Sequence, residues 1–186
     1  MPGANHLNLN TMKTYRLNMI TILIFAFLVL LIGCIKQSKD ERIQPGEKIP
    51  DFMTYVIGGR NITAGSLIGK PSLIVFFSTT CPDCKAQLPM VEAAFKTVGE
   101  EANFLAIARE ETDDSVLRFW KETGFTMPVA APGKRDIYNL FDRGSGSGVP
   151  LMIFTDEKGI VTATSDDKSI MDTSTIIAKL FPEIND

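Results

Sequence analysis

The most informative stretch of the chain is SLIVFFSTTCPDC, residues 72–84. Its first part, 72–77, is a continuous apolar run rich in strand-favouring residues, which is typical of a β-strand buried on both faces. After a short polar turn a helical pattern covers residues 82–98, where apolar residues recur at helical spacing. The two cysteines of the motif Cys81-Pro82-Asp83-Cys84 are therefore predicted to lie where a buried strand turns into a helix.

This position favours redox chemistry. Free backbone N–H groups and the positive end of the helix dipole stabilise a thiolate at the first cysteine, and only the thiolate attacks a disulfide. The two-residue spacing places the second thiol one helical turn away, close enough to attack a mixed disulfide. Pro82 suits the first helical turn because its missing N–H is not needed there. We predict that Cys81 is the nucleophile and Cys84 the resolving thiol.

Two other roles for the cysteine pair are less favoured. A zinc site needs about four ligands, but the whole chain has 3 cysteines and 1 histidine. A structural disulfide across so short a loop would add only about 2 kcal/mol in the chain-entropy account, less than a longer loop would. We therefore predict neither a metal nor a cofactor.

The rest of the chain alternates strands and helices. The patterns predict a strand at 103–108, a helix at 113–123, strands at 151–155 and 160–164 joined by a turn, and a last helix at 173–181. Residues 50–68 are expected to add an N-terminal hairpin or strand pair. This order predicts an α/β fold with a central mixed β-sheet flanked by helices and an N-terminal β extension.

The start of the chain is typical of an export signal. Residues 19–32 are apolar, with Lys13 and Arg16 before them. The run is shorter than the roughly 20 residues that span a bilayer, and an uncleaved N-terminal anchor is the alternative. Leu31-Ile32-Gly33-Cys34 resembles a bacterial lipobox, which implies cleavage before Cys34 and lipid attachment to it. Several acyl chains together give stable anchoring.

The chain accordingly divides into a signal peptide at 1–33, a lipid-anchored linker at 34–48 and a globular domain at 49–186. The linker is polar, which is typical of a flexible connection between a membrane anchor and a globular domain. Its segment 39–41 loosely resembles a sorting signal of surface lipoproteins of Bacteroidota, although a solvated linker is the favoured interpretation. The formal net charge of −3 argues against a strongly basic nucleic-acid binder.

The mature chain resembles the TlpA/ResA group of thioredoxin-like proteins over roughly residues 45–182. The matching features are Pro50-Asp51-Phe52, Gly69-Lys70-Pro71, the CPDC motif, Lys85, Pro89, Val149-Pro150 and the turn at 156–159. The resemblance implies a thioredoxin-like fold in which Pro150 is cis and lies beside Cys81. It also implies that the backbone at Val149 meets an incoming substrate strand.

Several positions depart from the family pattern. Thr80 stands where thioredoxins usually have Trp, Val75 where they have a buried acid, and Gln87 where ResA-like proteins often have Glu. Both familiar proton acceptors are therefore missing. Asp83 could relay a proton, but we favour a solvated carboxylate that disfavours the nearby thiolates by charge repulsion.

The positive charge of Lys85 favours the nearby thiolates, in opposition to Asp83, but it lies on an exposed turn. Pro82, Asp83, Lys85 and Gln87 are thus the residues expected to modulate the cysteine pair.

The leading hypothesis is an extracytoplasmic thiol–disulfide oxidoreductase, held in the cell envelope by lipid on Cys34, on the periplasmic or outer-membrane face. By the family resemblance, it would reduce disulfides of protein substrates and take electrons from a membrane thiol-relay partner. One alternative is a thiol peroxidase of peroxiredoxin type, with Thr79, Thr80 and Arg109 as candidate partners of Cys81. The other is a non-catalytic thioredoxin-like binding lipoprotein.

Overall fold

The structure is a computed structural model that describes residues 42–146, 148–165 and 169–182. The predicted signal peptide, Cys34 and the linker up to residue 41 lie outside these ranges. Within the described ranges, no helix combines the length and the apolar character needed to cross a membrane.

The described residues alternate between strands and helices. In chain order the elements are β1 (Met53–Tyr55), β2 (Asn61–Thr63), β3 (Ser72–Phe77), α1 (Pro82–Val98), β4 (Asn103–Ala108), α2 (Asp113–Thr123), β5 (Val129–Ala130), α3 (Asp136–Asp142), β6 (Leu151–Thr155), β7 (Val161–Thr164) and α4 (Thr173–Leu180). Single 3₁₀ turns lie at Ala64–Leu67 and Gly99–Glu101. The predicted elements are all present, and the predicted bounds differ only at the start of β7 and the end of α4.

The central sheet has the strand order β5-β4-β3-β6-β7. β3, β4 and β5 run parallel, whereas β6 and β7 are antiparallel to their neighbours. All six residues of β3 are buried, because this strand lies in the middle of the sheet. In the register of β3 and β4, Phe77 pairs with Ala108. The loops that follow these parallel strands therefore start at the same edge of the sheet.

Two elements were not predicted, and both lie between α2 and β6. β5 has only 2 residues and α3 only 7, so neither is long enough to show a hydrophobic period. The predicted mixed sheet is confirmed, but its outermost parallel strand and the helix after it are additions that the sequence did not reveal.

The expected N-terminal hairpin is present. β1 and β2 pair antiparallel, and Val56 forms an isolated bridge with Ala130 at the edge of the main sheet. The ordered packing begins earlier than the proposed boundary at residue 49. Ile43 is fully buried, and the Gly46 N–H donates to the carbonyl oxygen of Val161 at 2.8 Å. Residues 42–48, which the sequence analysis assigned to the linker, therefore pack against the domain.

Candidate active site

The motif Cys81-Pro82-Asp83-Cys84 lies at the junction of β3 and α1, as predicted. Cys81 is the N-cap residue of α1 with extended backbone angles, and Pro82 opens the helix. The N–H of Cys81 donates to the carbonyl oxygen of Ser78 at 3.2 Å, which closes a tight turn before the helix. Cys81 thus lies at the positive end of the helix dipole, where a thiolate is stabilised.

The Cys81 thiol faces the loop that precedes β6. The peptide bond between Val149 and Pro150 is cis, as the family resemblance implies. Cys81 Sγ donates to the carbonyl oxygen of Val149 at 3.1 Å. The structure therefore brings together three of the predicted site residues, although they are separated by 68 positions in the chain.

Cys84 has a different environment from Cys81. Its side chain is 0% exposed, and the N–H of Ser78 donates to its Sγ at 3.5 Å. The pKa of Cys84 is raised from 9.0 to about 12, mainly by burial; the neighbouring Cys81 and Asp83 contribute to the rise, and the hydrogen bond from Ser78 opposes it. Both cysteines are free thiols in this structure. At neutral pH Cys84 is therefore a protonated thiol shielded from solvent, whereas Cys81 is partly exposed.

The four predicted modulating residues divide into two groups. Pro82, Asp83 and Lys85 are exposed on the first turn of α1. Gln87 is fully buried: its Nε2 donates to the Met171 carbonyl oxygen at 2.9 Å, and its Oε1 accepts from the Met171 N–H at 2.8 Å. The amide of Gln87 therefore links α1 to the segment before α4, and these two hydrogen bonds use both ends of the amide.

A carboxylate that the sequence analysis did not single out contacts the loop before Cys81. Glu111 accepts a hydrogen bond from the Thr79 N–H at 2.6 Å and a second one from the Thr79 hydroxyl. Glu111 lies just beyond the carboxyl end of β4, which pairs with the end of β3. An acidic residue after a parallel strand was the only signal in the sequence, and it does not reveal which neighbour the carboxylate binds.

Tyr138 on α3 was also missed, because α3 was not predicted. Its side chain is nearly fully buried, and its hydroxyl donates to the Gly148 carbonyl oxygen at 3.4 Å, next to the cis peptide. The guanidinium groups of Arg109 and Arg135 lie 5.5 and 5.4 Å from the centre of the ring. Arg109, proposed as a partner of Cys81 in the peroxidase alternative, thus stacks on Tyr138.

The family described as AhpC/TSA matches residues 45–164, which include both cysteines and the cis-proline loop. The chain belongs to the AhpC/TSA family. Its relatives include the thiol–disulfide oxidoreductase ResA of Bacillus thuringiensis, 26% identical over 122 residues, or 65% of this chain and 69% of that protein. ResA of Bacillus subtilis is 25% identical over 167 residues, or 87% of this chain and 91% of that protein.

Solved structures share the same fold. A Bacteroides thetaiotaomicron protein solved in solution superposes with a TM-score of 0.70 at 22% identity, covering 77% of this chain and 92% of that one. A thiol:disulfide interchange protein from Chlorobium tepidum superposes with a TM-score of 0.62 at 24% identity, covering 74% and 95%. The predicted thioredoxin-like fold, the ResA-like resemblance and the enzyme class of thiol–disulfide oxidoreductase are confirmed.

Proposed function

We propose that this protein reduces disulfides of exported proteins outside the cytoplasm, with Cys81 as the nucleophile and Cys84 as the resolving thiol. The observation that carries the proposal is the asymmetry between the two thiols. Cys81 is partly exposed at a helix N-terminus, whereas Cys84 is fully buried with a pKa of about 12. Only Cys81 can therefore reach a substrate disulfide, because Cys84 is buried and stays protonated near neutral pH.

In the first step the Cys81 thiolate attacks one sulfur of the substrate disulfide. A bond forms between Cys81 Sγ and that sulfur, the substrate S–S bond breaks, and the other substrate sulfur leaves as a thiolate that takes a proton. The Val149 carbonyl, now 3.1 Å from Cys81 Sγ, is free to pair with the substrate backbone once the Cys81 proton is gone.

In the second step Cys84 loses its proton and attacks Cys81 Sγ. The mixed disulfide breaks, the second substrate sulfur leaves as a thiolate and is protonated, and a Cys81–Cys84 disulfide forms. The substrate gains two electrons and two protons in total. A dithiol donor, which we propose is a membrane thiol-relay protein, then returns the enzyme to the reduced state.

The proton of Cys84 has no acidic acceptor at Val75 or Gln87, the two positions where related proteins often have an acid. Val75 is apolar, and the amide of Gln87 is occupied by Met171. Asp83 is exposed on the first turn of α1. We propose that water takes the proton before Cys84 attacks, so that Cys84 ionises only transiently and resolution is slower than the first attack.

The peroxidase alternative finds less support. A peroxidatic cysteine needs a hydroxyl and an arginine directed at its sulfur, but the Thr79 hydroxyl donates to Glu111 and Arg109 stacks on Tyr138. The partner of Cys81 is instead the carbonyl oxygen of Val149. Peroxide consumption at a rate comparable with disulfide exchange would favour the peroxidase.

The reduction potential of the full chain in defined thiol buffers tests the reducing direction. We expect a value near that of thioredoxin, about −270 mV. A value near that of DsbA, about −120 mV, would indicate an oxidant. We also expect Cys81→Ser to lose turnover. Retained turnover would instead favour the alternative of a binding protein in which the cysteine pair is not catalytic.

The location of the protein is a separate proposal. We expect the chain to be held in the cell envelope by lipid on Cys34 and to fractionate with membranes. Cys34→Ser should release it or leave its signal peptide uncleaved. A wild-type chain that stays in the cytoplasm, with no lipid mass on Cys34, would contradict this proposal.

A further inference from the structure

Glu111 makes the link between the loop before the nucleophile and the neighbouring strand and helix. The loop comprises Ser78, Thr79 and Thr80. Ser78 and Thr80 hydrogen-bond with each other, with hydroxyl oxygens 3.0 Å apart. Thr79 instead reaches across to Glu111, donating its N–H at 2.6 Å and its hydroxyl as well.

Glu111 lies between two regular elements, β4 and α2. It follows the carboxyl end of β4, whose last residue Ala108 pairs with Phe77 at the end of β3. It precedes Thr112, the N-cap residue of α2, and the Ser115 hydroxyl lies 3.5 Å from its second carboxylate oxygen. The carboxylate is therefore fixed by a strand and a helix on one side and accepts two donors from Thr79 on the other.

Ser78, in the loop that Glu111 holds through Thr79, contacts both cysteines. The Ser78 carbonyl accepts the Cys81 N–H at 3.2 Å, and the Ser78 N–H donates to Cys84 Sγ at 3.5 Å. A shift of Thr79 would move Ser78, its direct neighbour, and with it the turn that aims Cys81 at Val149. Displacements of about 1 Å in a reacting group can cost about a hundredfold in rate.

We propose that Glu111 is a positioning residue for thiol–disulfide exchange: its carboxylate, bound to Thr79, holds the loop so that the Cys81 thiol is directed at an incoming disulfide. The inference rests on the proposed function of Cys81. Glu111 acts through Thr79 and the backbone of the loop, and no step of the exchange requires it to contact the substrate.

Three variants of the full chain test the proposal. Glu111→Ala removes both acceptors; Glu111→Gln keeps an oxygen for the Thr79 N–H and an amide that can donate to the Thr79 hydroxyl. Glu110→Gln is the matched control, because Glu110 is the adjacent carboxylate and lies 3.7 Å from Arg109 and from Arg135 rather than on the loop. The rate of Cys81 attack is measured with an aromatic disulfide that releases a coloured thiolate, together with the melting temperature and reduction potential of each variant.

We expect Glu111→Ala to slow the attack by about 10- to 100-fold, with Glu111→Gln rescuing it to within about threefold and Glu110→Gln unchanged. A purely structural role would lower the melting temperature of Glu111→Ala without changing the rate of the folded protein. That result would overturn the proposal, as would an equal loss of rate in Glu110→Gln.

If Glu111→Ala does not fold, Thr79→Val decides the question, because it removes the hydroxyl donor and keeps the shape and the N–H. We expect a rate a few-fold below that of the native protein, with Thr79→Ser restoring it; a native rate in Thr79→Val would count against the proposal. Cys81→Ser is measured alongside. If that variant still exchanges disulfides, the proposed function fails; if it is inactive while Glu111→Ala reacts at the native rate, only this inference fails.

Discussion

The rate of resolution by Cys84 should depend steeply on pH up to at least pH 9. Burial raises the pKa of this thiol from 9.0 to about 12, and each unit lowers the thiolate fraction about tenfold. At neutral pH Cys84 is therefore about a thousand times less ionised than an ordinary thiol. If no protein group takes its proton, the rate of the second step should rise about tenfold per pH unit from about pH 6 to pH 9 without a plateau.

The two steps can be separated in one stopped-flow experiment. An aromatic disulfide releases one coloured thiolate when Cys81 attacks and a second when Cys84 resolves the mixed disulfide, so single turnover gives two phases. Cys84→Ser is the control, because it retains only the first phase and reports the pH profile of Cys81 alone.

The outcome that would refute the reasoning is a plateau of the second phase well below pH 9. A plateau would show that a titrating protein group accepts the proton of Cys84. Such a group is not expected from the surroundings described for Val75, Asp83 and Gln87.

Three further predictions concern the stability of the fold. Gln87→Glu should lower the free energy of unfolding by about 1–3 kcal/mol at pH 7, because a carboxylate would face the Met171 carbonyl oxygen; urea titrations should show recovery at acidic pH, where a protonated carboxyl can donate instead. Glu92 is buried and accepts the N–H groups of Thr126 and Met127; burial alone would raise its pKa, but the hydrogen bonds outweigh burial and lower it. Glu92→Ala should therefore cost about 2–4 kcal/mol at pH 7, and the difference from the native protein should shrink as pH falls below 4.5 through the lowered pKa. Glu47→Gln, which weakens the 2.6 Å ion pair with Arg143, should cost less than about 1 kcal/mol in thermal unfolding, since both side chains are partly solvated.

The sequence predicts those parts of the molecule whose signal is local. The buried run of β3, the helical period of α1 and the spacing of Cys81 and Cys84 each lie within a few residues, and each indicates the structure that is found. The cis peptide before Pro150 followed from the family resemblance rather than from any local pattern.

What the sequence does not reveal depends on contacts between distant residues. Glu111 and Thr79 are 32 positions apart, and a carboxylate after a strand does not indicate which loop it will hold. Tyr138 lies on a helix too short to show a period. Ile43 is a single apolar residue in a polar stretch, and only the packed structure reveals that it is buried.

The most direct test of the account is to trap the mixed disulfide. Cys84→Ser, incubated with a disulfide-bonded peptide, should form a covalent adduct on Cys81, located by mass spectrometry after digestion and released by dithiothreitol. Cys81→Ser should form none, because Cys84 is fully buried. An adduct on Cys84 in the Cys81→Ser variant, together with none on Cys81 in the Cys84→Ser variant, would contradict the assignment of the nucleophile.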